Sequence, residues 1–141
     1  MKKKILVLCT GNSCRSQIAE GYLRHFAGDK ALVFSAGIEK HGVNPKAVET
    51  MEEDGIDISN QTSNHIDEYS HIEFDFVITV CDHAEERCPH FPNTAKRFHK
   101  NFTDPGKATG SKDEIEEQFR RVRKQIKRYC LKFATNYLSA S

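Results

Sequence analysis

The sequence predicts an α/β protein, a three-layer sandwich built on a four-stranded parallel sheet with helices on both faces. Three observations predict it. Short apolar runs alternate along the chain with stretches of helical periodicity, a pattern that implies parallel strands joined by right-handed crossovers. Ile5–Leu8 is a short continuous apolar run, as expected of a buried parallel strand, and Phe74–Val80 is the clearest strand in the sequence. A final apolar stripe of Ile115, Phe119, Val122, Ile126, Tyr129, Phe133 and Tyr137 recurs at steps of three and four.

The first strand, Ile5–Leu8, leads into a Gly-Asn-Ser loop. Ile18, Ala19, Tyr22, Leu23 and Phe26 then mark a helix that Gly28 ends. Leu32–Ala36 reads as the second strand, stopping at Gly37. Pro45 opens a helix through Met51, closed at Gly55. Phe74–Val80 delivers the chain directly to Cys81, and Lys96–His99 is a weaker strand candidate. The last helix starts on a capping-box pattern, Ser111 with Glu114.

The 141 residues fit one domain spanning 1–141, long enough to bury a core without metal or disulfide staples. The net charge of +1 speaks against a nucleic-acid or membrane surface, either of which needs a concentrated excess of one sign. The apolar run after Lys2-Lys3-Lys4 is too short for a signal peptide, and nothing else approaches a membrane span, so a cytoplasmic protein is expected. Cys9, Cys14, Cys81, Cys88 and Cys130 are odd in number and irregular in spacing, unlike a secreted disulfide framework. In a reducing compartment such cysteines are catalytic, redox-active or metal-binding.

Cys9-Thr10-Gly11-Asn12-Ser13-Cys14-Arg15-Ser16 lies between a strand and a helix. A cysteine and an arginine five residues apart can close a ring around a tetrahedral oxyanion. Inward backbone N–H groups, the helix N-terminus and the guanidinium all favour negative charge there. The same dipoles favour a thiolate on Cys9, and Ser16 can donate to its sulfur. Gly11 and Asn12 tolerate the left-handed backbone that such a nest requires. Asp104, stiffened by Pro105 in a turn-rich loop, is a candidate general acid.

This octapeptide resembles the phosphate loop of the low-molecular-weight tyrosine phosphatase superfamily, and within it most resembles the thioredoxin-coupled arsenate reductases. Ser35-Ala36-Gly37, His41-Gly42-Val43-Asn44-Pro45, Asp57-Ile58-Ser59, the Cys81/Cys88 pair and Asp104-Pro105 extend the resemblance over nearly the whole chain. It implies a low-molecular-weight phosphatase-like fold and reduction of arsenate to arsenite by a thiol relay, in an arsenic-detoxifying role. In that relay Cys9 is the nucleophile, Thr10 to Ser16 bind the oxyanion, Arg15 clamps it and Asp104 protonates the departing oxygen. Cys81 then attacks Cys9, Cys88 attacks Cys81, and thioredoxin reduces the final disulfide. The resemblance implies no cofactor, and the chain is expected to be a monomer. Arsenate, phosphate and sulfate are all tetrahedral, so the loop is expected to accept each, with weak phosphatase activity alongside.

A small protein tyrosine phosphatase is the principal rival, since a phosphatase needs only Cys9. Gln17, where phosphatases usually place proline, and Gly106-Lys107-Ala108, where they usually place tyrosines, weaken it. A non-enzymatic phosphate or metal sensor reusing the loop is a third reading. Cys81, His83, Cys88 and His90 could invite zinc, but their spacing is unlike the usual two-to-four-residue gaps, and no metal is expected. Some members of the resembled branch bind potassium at positions corresponding to Asn12, Glu20, Ser35, Thr62 and Asn64. Asn64 stands where Asp is usual, which removes a charge from that site; Glu20 otherwise reads as an exposed helix acid. Arg120, Arg121, Arg123, Lys124, Lys127 and Arg128 lie opposite the apolar stripe and read as a solvated face with no partner. Cys14 is expected to be structural and Cys130 a core or boundary residue.

The Cys81–Cys88 relay carries a geometric condition. Seven residues of intact helix span about 10.5 Å, whereas a disulfide needs Cα atoms within roughly 7 Å. The polar segment between them, followed by Pro89, is therefore either non-helical or unwinds on oxidation.

Overall fold

The structure, a computed structural model, describes residues 2–87 and 95–138. Four parallel strands, β1 (Lys3–Cys9), β2 (Ala31–Gly37), β3 (Phe76–Thr79) and β4 (Lys96–His99), lie in the order β2-β1-β3-β4. β1 is longer at both ends than the apolar run alone suggests, because pairing with β2 from Lys3↔Ala31 to Cys9↔Gly37 recruits its flanks. β3 is shorter than the Phe74–Val80 run, its pairing to β1 covering Ile5↔Phe76 to Leu8↔Thr79. The weak candidate Lys96–His99 is a genuine strand at the sheet edge.

Helix α1 (Arg15–Ala27) follows β1 and packs on β1, β2 and the long C-terminal helix α4 (Lys112–Tyr137). α2 (Pro45–Glu53) packs chiefly on α4, and α3 (Asp82–Arg87) lies against β1 and β3. The chain leaves β1 towards β2, then crosses back to β3 and on to β4. Right-handed connections consequently place α1 and α3 on opposite faces, and the order of the sheet reverses between β1 and β3. Ligands of such sheets bind beyond the carboxyl ends of the strands at that reversal. Cys9 and Cys81 are the residues found there.

Ile5 to Leu8 are fully buried, with Ile18, Tyr22, Leu23, Met51, Ile78 and Ile126 around them. Phe76, Phe98, Phe133 and Tyr137 close the β4 edge as a packed aromatic group, ring centroids 4.9–6.0 Å apart. Cys130 is buried, as expected, and is part of the core. The Ser111–Glu114 capping box forms, each side chain meeting the other's backbone N–H at 3.1 Å.

One expectation needs correction. Arg120, Arg123 and Lys127 are not a free solvated face: they bind α2 and the residue that ends it. Arg120 Nε and Arg123 Nη1 meet Glu53 Oε1 at 3.0 and 3.1 Å, Arg123 Nη1 donates to the Thr50 carbonyl at 2.7 Å, and Lys127 Nζ meets Asp54 Oδ2 at 2.8 Å. Helical periodicity places these cations away from the stripe, but a second helix wraps far enough round α4 to meet them.

Candidate active site

β1 ends at Cys9, which is 2 % exposed, and α1 begins at Arg15. The intervening loop turns tightly enough to put Asn12 in the left-handed region at φ 50°, the one non-glycine residue there among those described. That turn aims the Asn12 backbone N–H at Cys9 Sγ, 3.2 Å away. Ser16 Oγ, in the first turn of the helix, lies 2.8 Å from the same sulfur. Asn12 Nδ2 donates to Ser16 Oγ at 2.7 Å. The serine's oxygen is thereby used as an acceptor, leaving its hydrogen for the sulfur. α1 has no side-chain N-cap, so its first amides stay open towards the loop.

A buried relay fixes Asn12. Its Nδ2 also donates to Ser35 Oγ (2.9 Å), Ser35 donates to Glu20 Oε1 (2.6 Å), and Arg24 Nε donates to Glu20 Oε2 (2.7 Å). Asn12 Oδ1 accepts the Asn64 N–H at 2.7 Å. Glu20 is therefore not an exposed helix acid: it is 5 % exposed, and burial pushes its carboxyl up while Ser35 and Arg24 pull it back. Arg24 also reaches the Val33 carbonyl at 2.9 Å. The Arg24 guanidinium, itself more than half exposed, already pairs with Glu20, and Asn64 adds no charge to this group of oxygens.

Gly37 lets the second strand come this close. A Cβ there would overlap the Glu39 carbonyl and crowd the Asn12 N–H and Thr10 carbonyl, each at 2.8 Å. Gln17 is fully buried and laces the loop to the 58–64 segment. Its Nε2 donates to the carbonyls of Asn12 and Thr62, both at 3.0 Å, and its Oε1 accepts from Gln61 at 2.8 Å.

Arg15 Nη1 donates to the Phe102 carbonyl at 3.0 Å, and its Nη2 lies 3.7 Å from Asp104 Oδ2. Asp104 in turn accepts the Gly106 N–H at 2.9 Å, which fixes its carboxyl over the turn that Pro105 starts. Cys9, Arg15 and Asp104 line a single cavity of about 280 Å³, together with Thr10, Gly11, Ser13 and Cys14. Cys14 is buried, and its thiol is pushed up to about 12, mainly by that burial and then by Asp104. It stays a neutral thiol, as suits the structural role expected of it.

Cys81 is carried to the same end of the sheet. The Leu8↔Thr79 register and the Val80 N–H bond to the Leu8 carbonyl (2.9 Å) set it level with Thr10. Thr10 Oγ1 lies 3.3 Å from Cys81 Sγ, and the Ala84 N–H meets that sulfur at 3.4 Å. Both Cys81 and Cys9 are buried. Cys88 and His90 lie outside the described residues. Of the zinc reading, Cys81 is buried while His83 is exposed.

The sequence-predicted set is thus assembled as far as it is described: Cys9, Thr10 to Ser16, Arg15, Asp104 and Cys81. Sequence reasoning gave no role to Gln17, Arg24, the Phe102 carbonyl, or His41 and Asn44, which also line the cavity. Two of these carried a signal: Gln17 stands out as an amide at a position usually held by proline, and Arg24 lies one helical turn after Glu20. A backbone carbonyl leaves none.

No helix among the described residues is long and apolar enough to cross a membrane. The chain is 52 % identical to an arsenate reductase of Halalkalibacterium halodurans over 133 residues, 94 % of this chain and 96 % of the relative. It is 50 % identical to an arsenate reductase of Bacillus subtilis over 135 residues, 95 % of this chain and 97 % of that one. A solved arsenate reductase in a phosphate-binding state superposes with a TM-score of 0.80 at 34 % identity, covering 97 % of this chain and 99 % of its own. Residues 4–140 match the family described as low molecular weight phosphotyrosine protein phosphatase, and the chain belongs to that family, among relatives that bear the name arsenate reductase.

Proposed function

We propose that this chain reduces arsenate to arsenite through a relay of its own thiols. The observation that carries the reading is a further buried thiol, Cys81, set against the oxyanion loop. Cys81 Sγ is bridged to the loop by Thr10 Oγ1 at 3.3 Å. Ester hydrolysis by Cys9 alone has no use for it. The names borne by relatives about half identical to this chain point the same way.

Arsenate enters the loop, held by Arg15 and by the backbone N–H groups of Thr10 to Ser16. The Cys9 thiolate attacks arsenic, forming an S–As bond, while one As–O bond breaks and Asp104 supplies the proton that lets the oxygen leave as water. The Cys81 thiolate then attacks Cys9 Sγ. An S–S bond forms, the S–As bond breaks and its electron pair stays on arsenic. Arsenic(V) becomes arsenic(III), two thiols become a disulfide, and proton uptake yields arsenite. Cys88 attacks Cys81 and expels the Cys9 thiolate, leaving Cys81–Cys88 for a dithiol reductant, which we take to be thioredoxin. The whole chain works as one cytoplasmic, monomeric domain with no cofactor.

Phosphate monoesters share the tetrahedral geometry, and the family description favours some hydrolysis. The test follows arsenate-dependent NADPH oxidation with thioredoxin and thioredoxin reductase, with aryl phosphate hydrolysis measured in parallel. We expect Cys88→Ser to stop multiple turnover and spare hydrolysis. Brisk hydrolysis without arsenate turnover in the wild type would make the protein a phosphatase.

A further inference from the structure

The C-terminal end of β4 and the middle of α4 border an open groove of about 510 Å³, on the loop that leads to Asp104. Phe102 and Tyr129 meet there edge to face, centroids 5.8 Å apart. Lys100, Arg128 and Lys132 line it, with no acidic residue among its walls. Among the described residues, no carboxylate lies within 4 Å of any of these three cations. The contrast lies on the same helix: Arg120, Arg123 and Lys127 are all held by Glu53 or Asp54. α4 thus divides its cations between a paired face and an unpaired one, in a chain whose net charge is only +1.

The unpaired face lies directly behind the proposed relay. Asn101 Oδ1 accepts the Asp82 N–H, the first amide of α3, at 3.1 Å. The Phe102 carbonyl holds Arg15, and its N–H bonds the Val80 carbonyl at 3.0 Å. One short segment therefore forms the groove wall, ties down the helix after Cys81 and positions the oxyanion clamp.

We propose that this groove is where the disulfide reductant docks, a dithiol protein whose contact face carries carboxylates. The proposal rests on the thiol-relay reading. A small anion would need convergent, buried donors, whereas these cations are exposed and spread along an aromatic floor. That arrangement suits a broad acidic surface: the half-buried Tyr129, backed by Phe102, supplies apolar area to cover, and the cations supply steering and orientation. Docked there, the partner's thiolate attacks one sulfur of the Cys81–Cys88 disulfide to form a mixed disulfide. Its second thiol then resolves this, oxidising the partner and returning two thiols to the relay.

The test compares wild type with K100E/R128E/K132E and with the neutral R128Q/K132Q. Arsenite release from pre-reduced protein in a single turnover, with no partner present, is expected to be unchanged. So is steady-state turnover driven by dithiothreitol. With thioredoxin, the acidic triple variant is expected to raise the KM for thioredoxin at least tenfold with kcat little altered. The neutral pair should raise it less, and both should flatten the dependence of kcat/KM on salt. A KM unmoved in both variants, or a loss equally large with dithiothreitol, overturns the docking site. Absence of single-turnover arsenite from the wild type instead overturns the relay reading itself.

Discussion

Arg15 and Asp104 stand 3.7 Å apart across the mouth of the oxyanion loop, with Arg15 braced from behind by the Phe102 carbonyl. A clamp and an acid so close share one job at the substrate, since the proton must arrive where the guanidinium holds the oxygens. They also compete, because Asp104 draws on the charge an oxyanion would use. Asp104→Asn should therefore lower both arsenate turnover and aryl phosphate hydrolysis by about a hundredfold, while sulfate binding is kept or tightened. Arg15→Lys should lower both activities as well, but by losing sulfate and arsenate binding, because an ammonium cannot reproduce the planar fork. Kinetics in parallel with sulfate titration checks both; wild-type hydrolysis by Asp104→Asn would remove the acid role from Asp104.

Asn12 makes a sharper test of what organises the loop, because two of its properties separate. It occupies the left-handed region, and its amide joins Ser16, Ser35 and the Asn64 N–H. Asn12→Ala should cost roughly 3–4 kcal/mol, combining the lost hydrogen bonds with a strained φ. Asn12→Gly relieves the strain alone and should be about 1 kcal/mol less destabilised. Both should lose most arsenate turnover, since Ser16 is no longer directed at Cys9. Urea unfolding and turnover measured on the two variants would tell; equal stabilities would mean that the backbone conformation matters little.

How much of this was legible in the sequence follows from range. β1, the loop and the start of α1 are contiguous, and each local signal agrees with the next, so Cys9 to Ser16 could be read directly. The apolar run before Cys81 placed that thiol at the same end of a parallel sheet. What stayed hidden depends on neighbours that only folding supplies. Glu20 looks like a surface acid until β2 brings Ser35 against it. Arg123 looks solvated until Thr50 and Glu53 arrive from α2. The Phe102 carbonyl has no side-chain signature at all, and Cys88 falls outside the described residues.

Asp54 joins α2 to the body of the protein and gives stability a pH dependence. Its Oδ2 accepts from the buried Tyr22 hydroxyl at 2.7 Å and from Lys127 at 2.8 Å. Those bonds, Lys127's first, hold its carboxyl below the ordinary value of 3.8. Since the unfolded chain takes up the proton first, this contribution is complete above the ordinary carboxylate range. It is lost as pH falls through the lowered folded value. Asp54→Ala, which strands the Tyr22 hydroxyl, should cost about 1–3 kcal/mol at neutral pH. The gap from wild type should stay constant down to about pH 5 and close below about pH 4. Denaturant curves across that range decide it; a gap that widens in acid would contradict the assignment.

The proposed relay makes its strongest structural demand on α3. Asp82–Arg87 is helical here, so the alternative of a segment already non-helical does not hold for these residues. Its first turn is well anchored. Ala84 is fully buried, Asp82 Oδ1 lies 2.7 Å from His99 Nε2, and His99 Nδ1 lies 2.7 Å from Thr79 Oγ1. Its outer residues His83, Glu85 and Glu86 are exposed and add little burial. If Cys81 and Cys88 join, their Cα atoms must come within about 7 Å, and a helix running on to Cys88 would hold them some 10.5 Å apart. The turn from Glu85 to Arg87, tied back through Glu85 Oε2 to His99 Nδ1 at 3.7 Å, is then the part expected to give way. In the oxidised protein, amides 85–87 should lose at least tenfold of their exchange protection while those of β1 and β3 keep theirs. His99→Ala should speed exchange at these amides even in the reduced state, by releasing the first turn. Equal protection before and after oxidation would mean that Cys81 and Cys88 do not pair, and the relay would have to end elsewhere.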